Sequence, residues 1–84
     1  MDPILGSIII FAGNFAPRGW AFCNGALLPI SENQAVFSIL GTTYGGDGKT
    51  TFGLPKFKAP KGSVYLIAMN GIYPSRDWGE KRNS

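Results

Sequence analysis

The stretch Gly6-Ser7-Ile8-Ile9-Ile10-Phe11-Ala12-Gly13-Asn14-Phe15-Ala16-Pro17-Arg18-Gly19-Trp20-Ala21-Phe22-Cys23-Asn24-Gly25 decides the fold class. Ile8 to Phe11 are β-branched or aromatic without a break and are bracketed by Pro3 and Gly13. That pattern predicts a strand over Gly6 to Ala12, buried on both faces. Pro17-Arg18-Gly19 has the chemistry of a tight turn, because proline presets φ and glycine accepts positive φ. Trp20 to Cys23 then predicts a short strand, Asn24-Gly25 a two-residue hairpin turn, and Ala26 to Ile30 the returning partner.

Toward the C-terminus the period changes. Ser31 followed by Gln34 has capping-box spacing, and Glu32 in the first turn suits the helix dipole. Ala35, Val36, Ile39 and Leu40 share one apolar face and Gly41 supplies a stop, which predicts a helix of about two to three turns. Thr42 to Pro60 is dominated by Gly, Thr, Lys and Pro, and no regular structure is expected there. Gly45-Gly46-Asp47-Gly48 reads as a turn needing several positive φ values. Val64-Tyr65-Leu66-Ile67-Ala68-Met69, closed by Asn70-Gly71, predicts a second strong strand. The fold class is therefore α+β, a small single domain of short strands and one short helix.

The chain has 84 residues, 44% of them hydrophobic and 15% charged, with 12 glycines, 6 prolines, one cysteine and no histidine. A chain of this length buries only about 60 to 65% of its unfolded surface, so a lone copy is marginal and needs a staple. Cys23 alone makes no intrachain disulfide, and no zinc-type ligand set exists, which leaves oligomerisation. Neither a Ser-His, a Cys-His nor a His-metal arrangement can be written, so no enzyme, cofactor or metal is expected. Ile8 to Ala12, the longest strongly apolar stretch, is far short of the roughly 20 residues a bilayer span requires. The opening Met-Asp-Pro lacks the basic residues of a signal peptide, so a cleaved leader is not expected.

Four lysines without an acid, Lys49, Lys56, Lys58 and Lys61, form a possible ligand-contact loop under the net charge of +3. They suit phosphate, surface glycan or an acidic partner; the competing reading is a solvated, solubilising loop. No nucleic-acid motif accompanies them. Gly45 to Thr50 superficially resembles a phosphate loop, but position 43, where that motif needs its first glycine, is Thr43. Asp47 with Asp77 makes a poor calcium pair, because no ligand-dense acidic loop surrounds them. Phe11, Phe15, Trp20 and Phe22 offer either a carbohydrate-stacking platform or core and interface packing, the use small folds make of large aromatics. Ile8, Ile10, Phe11, Trp20, Phe22, Leu40, Val64, Tyr65, Leu66 and Ile67 are the candidate core and assembly residues. Cys23 reads as a small buried hydrophobe.

The run Gly6 to Gly25 quoted above resembles the opening of the phage tail collar domain family. The likeness continues through Leu28-Pro29-Ile30-Ser31, Gln34 to Gly48 and Thr51-Phe52-Gly53-Leu54-Pro55, covering residues 6–55 almost without interruption. The family includes short tail fibre proteins and bacterial proteins labelled microcystin-dependent. The resemblance implies a trimeric collar. In longer members it also implies a receptor-binding region with His-x-His metal ligands, followed by a closing segment like Ile67-Ala68-Met69-Asn70-Gly71-Ile72-Tyr73-Pro74-Ser75-Arg76. Here only the short linker 56–62 separates the collar motif from the closing segment 63–76, and a polar tail, 77–84, follows. The expectation is a minimal version of the family without the receptor-binding insertion. It is a structural subunit completed by contacts with its own copies, as a homotrimer or as a polymer built by exchange of a terminal strand. It is extracellular or virion-associated, with other tail or fibre proteins as further partners. The alternative is an adhesin tip that binds receptor or glycan.

Overall fold

A computed structural model describes residues 2–75; Arg76 and the polar tail 77–84 lie outside the described residues. The elements in chain order are β1 (Ile8–Phe11), β2 (Trp20–Phe22), β3 (Leu27–Pro29), a 3-10 turn (Ile30–Glu32), α1 (Gln34–Leu40), β4 (Thr51–Gly53) and β5 (Val64–Ala68). They form a three-stranded antiparallel sheet, β1-β5-β2, and a two-stranded antiparallel sheet, β3-β4. The architecture is α+β.

The strand that the C-terminal apolar run predicts is the centre of the larger sheet, with Leu66, Ile67 and Ala68 fully buried. A strand hydrogen-bonded on both sides and covered by neighbours reads as a continuous apolar run, which is how β5 reads. β1 differs from expectation. It forms at Ile8–Phe11 but lies at the sheet edge, and Ile8, Ile9 and Ile10 are 38%, 40% and 52% exposed. Its apolar run follows from backbone pairing with β5 and not from cover on both faces of one copy.

A glycine sets the start of β1. Gly6, at φ +86°, donates its N–H to Ala68 O (2.9 Å) while Ala68 N–H returns to Ser7 O (2.8 Å), so Gly6 and Ser7 together oppose one residue. This is a β-bulge of the kind that requires glycine in the left-handed region. It joins a turn closed by Ser7 N–H on Ile4 O (3.0 Å), which carries the chain to a bridge between Ile4 and Ile72.

The expected Asn24-Gly25 hairpin does not form. β2 pairs with β5 and β3 pairs with β4, so the two strands flanking Asn24-Gly25 belong to different sheets. Asn24 Oδ1 instead accepts the Ala26 N–H (3.0 Å), and Gly25 takes φ +81° while its N–H bonds Pro55 O. A local turn signal loses here to burial of distant strands, because cross-strand partners are selected by the core they share.

The segment Thr42 to Pro60 also departs from expectation, since it contains β4. Phe52 is fully buried, and residues 50–57 run antiparallel to 23–30 through Ile30 N–H to Thr50 O, Leu54 N–H to Ala26 O and Phe57 N–H to Cys23 O. The helix starts at Gln34 and not at Ser31, because Ile30–Glu32 is a separate 3-10 turn and no capping box closes; Asn33 precedes α1 without a side-chain cap. Its buried residue is Val36, with Phe37, Ile39 and Leu40 half-buried and Ala35 exposed. Gly41 ends it at φ 57°, as expected, with its N–H on Phe37 O (2.7 Å).

Candidate assembly surface

Successive strand residues face opposite sides of a sheet, so the register divides the three-stranded sheet into two apolar faces. On one face stand Ala21, Tyr65 and Ile67, with Cys23 just past β2. They pack with Leu5, Val36, Phe52 and Leu54, and with half-buried Leu40, into the hydrophobic core. Ile8 and Ile10 share that face by register but project beyond the core at the edge.

The other face carries Ile9 and Phe11 on β1, Val64, Leu66 and Ala68 on β5, and Trp20 and Phe22 on β2. Leu66 and Ala68 are buried, flanked by Ile9 on one side and by Phe22 and Trp20 on the other. Phe11, Trp20, Phe22 and Val64 are half-buried, and none of these seven residues joins the core cluster. Phe15, itself exposed, meets Phe11 edge to face at 5.5 Å between ring centres. The second sheet and α1 contribute to the core cluster on one face; the aromatic face contributes nothing to that cluster and carries buried Leu66 and Ala68 beside half-buried rings.

The Gly-rich turn is built around a residue that composition alone does not single out. Asp47 Oδ1 accepts the backbone N–H groups of Lys49 (2.8 Å), Thr50 (2.9 Å) and Thr51 (3.0 Å), and Oδ2 accepts the Thr50 hydroxyl (3.1 Å). The Thr51, Thr50 and Lys49 N–H groups hold its carboxyl well below the usual carboxylate range. Gly45, Gly46 and Gly48 all take positive φ, as the turn reading expects. Asp47 therefore fastens the loop to the start of β4.

All four candidate lysines are exposed. Lys49 lines a depression with Ile30, Ser31, Gln34 and Thr50. Lys56 lines a different cleft of about 310 Å³, whose walls include Phe22, Asn24, Phe57, Val64 and Tyr65. The rings of Tyr44, Phe57 and Tyr65 follow one another edge to face, 6.3 and 5.8 Å apart, and the last two line that cleft. Cys23, which also lines the cleft, is buried and free, and burial pushes its thiol pKa up, which favours the protonated thiol. Among the described residues no group of three or more His, Cys, Asp or Glu is placed to hold a metal ion, and no helix is long and apolar enough to cross a membrane.

The core residues that the sequence reading did not name are Leu5, Phe52 and Leu54. Alternation could not find Phe52 and Leu54, because they sit among Gly, Thr and Pro. The family model of the phage tail collar domain matches residues 6–59, well over half of the chain and a little beyond the 6–55 that the motifs span. No curated protein matches the chain.

Proposed function

The chain belongs to the phage tail collar domain family, and from that premise we propose that it is a self-assembling structural subunit of an extracellular fibre, filament or phage-tail-like particle. The family itself is one of phage tail structural proteins, which implies a virion-associated protein. In this reading the chain is a homotrimer or polymer and not an enzyme. Residues 1–84 act as one unit, in which 56–62 joins the collar motif to the closing segment 63–76.

The observation that carries the proposal is the aromatic face of the three-stranded sheet, with half-buried Phe11, Trp20 and Phe22 and exposed Phe15 on the side away from the core. Aromatic residues left partly exposed outside the core are the usual anchors of protein interfaces. Sedimentation velocity and electron microscopy of the purified chain test it: a discrete oligomer or fibre is expected at micromolar concentration, and a well-folded monomer there overturns it.

The cleft of Phe57, Tyr65, Asn24 and Lys56 favours a second reading, an adhesin module that stacks a sugar ring and pairs an acidic substituent with Lys56. A glycan array separates the two, since a structural subunit shows no selective binding.

A further inference from the structure

We propose that the outer edge of β1 pairs antiparallel with β1 of a second copy about a two-fold axis, joining the two three-stranded sheets into one. The inference rests on the self-assembly reading above and names the contact that would produce it. Hydrogen-bonded positions alternate along an antiparallel ladder. Ser7 O takes the Ala68 N–H, so in the β1–β5 register Ser7, Ile9 and Phe11 direct their backbone groups at β5. Ile8 and Ile10 therefore turn N–H and C=O outward, and among the described residues no backbone bond reaches that side.

Natural sheets protect such edges with lysine, proline, strong twist or cover. This edge has none of the chemical devices: from Ile4 to Ala16 there is no charged residue and no proline, and Ile8, Ile9 and Ile10 are all exposed. The bulge at Gly6 lies before the strand and leaves Ile8 to Phe11 regular.

The occupant is a second copy because the segment is complementary to itself. With Ile9 on the axis, Ile8 of one copy opposes Ile10 of the other and their outward N–H and C=O groups close reciprocal bonds. No like charges meet, since the positive charge of the chain lies outside this stretch. Ile9 meets its own counterpart on the aromatic side, so the two aromatic faces become one continuous surface on the same side of the joined sheet. The antiparallel arrangement also brings exposed Ile4 and Ile72, at one end of β1, toward exposed Phe15 at the other end of the partner's strand. These flanks matter, because a stable interface needs about 800 Å² from each partner, more than a four-residue strand edge supplies. An isologous contact alone gives a dimer; added to a three-fold contact of the kind the homotrimer reading requires it joins two trimers, and added to another contact it propagates a filament.

Cysteine cross-linking of the full chain reads the register directly. At a non-hydrogen-bonded pair the facing Cα atoms are about 4.5 Å apart, within disulfide reach. Ile9→Cys, mildly oxidised, is expected to run as a covalent dimer, whereas Ile8→Cys, whose counterpart lies a residue pair away, stays monomeric on the same gel, as does the native chain with buried Cys23. Ile10→Pro removes only an outward N–H, which an edge strand tolerates, and Ile10→Lys installs a charge at the edge; both are expected to keep the native circular dichroism and lose at least half of the sedimenting mass. An oligomer that persists in both variants, with no Ile9→Cys cross-link, overturns the β1 contact while leaving self-assembly standing. A native chain that is monomeric at micromolar concentration overturns both.

Discussion

A methyl group added at Gly46 would meet Phe52 Cα at 2.3 Å, Thr51 O at 2.5 Å and Phe52 N at 2.7 Å, at a φ of +91°. All three are backbone atoms of β4, so the clash is relieved only by moving the loop off the strand that buries Phe52. Gly62 also has positive φ, +86°, but open space around it. Gly62→Ala is therefore expected to cost only the left-handed penalty of about 1 to 2 kcal/mol, and Gly46→Ala more than that, on the order of 3 kcal/mol or above. Equal unfolding free energies for the two variants would contradict the close packing of loop on strand. Asp47, the next residue, ties the same loop through three backbone N–H groups that favour its charged form. The unfolded carboxyl titrates near about 3.9, and the folded one lower. The stabilisation is present above the unfolded value and is lost as pH falls through the folded one. Thermal unfolding followed by pH is expected to show an acid loss that Asp47→Asn reduces; the same acid loss in both chains would show that the loop does not depend on the charge.

At the scale of elements, β4 and β5 hold the core together, one from each sheet. Phe52 packs against Phe37 of α1 with ring centres 5.5 Å apart and has no exposed surface. Phe52→Ala is expected to cost about 3 to 5 kcal/mol, a large share of the stability of any small domain. Deleting 63–84 removes the strand on which both β1 and β2 pair. The truncated chain is expected to be insoluble, and a peptide spanning 61–76 to restore it in part; soluble truncated protein with native circular dichroism would refute the central role of β5. Existence of most strands was legible in the sequence, because Ile8 to Phe11, Trp20 to Phe22 and Val64 to Ala68 are rich in β-branched, aromatic and aliphatic residues. Their partners were not. Asn24-Gly25 is a strong local hairpin signal, yet Trp20–Phe22 pairs across more than forty intervening residues with β5, where Ala21 and Ile67 share the core. β4 was hidden for a different reason: Thr51-Phe52-Gly53 has no alternating pattern of its own, and what makes it a strand is the pairing with Leu27–Pro29 and the glycines packed over it. The candidate surface was legible as a set of aromatics, but only the register shows that Phe11, Trp20 and Phe22 share a face turned away from the core.

At the scale of the whole molecule, the core is small and the chain elongated. Among the described residues eight hydrophobic ones are buried, the Cα extents are 45 × 30 × 21 Å, and the radius of gyration is 13.8 Å, against about 12 Å for a compact chain of this length. If association through apolar sheet surface supplies the missing burial, charge on the loops contributes little to it. Lys49, Lys56, Lys58 and Lys61 are all exposed, and at least two of them line separate depressions. Exposed charges contribute about 0 to 1 kcal/mol even when paired. Replacing all four by Gln reverses the sign of the net charge of +3 and still leaves every strand, the core and the β1 edge untouched. The variant is expected to keep the oligomer mass of the native chain and an unfolding midpoint that rises with protein concentration, as mass action requires when the folded copies associate. Loss of assembly in the lysine variant would move the interface to the 42–61 loop. Loss of glycan binding with assembly intact would instead identify that loop as the adhesive surface of a particle built through its sheets.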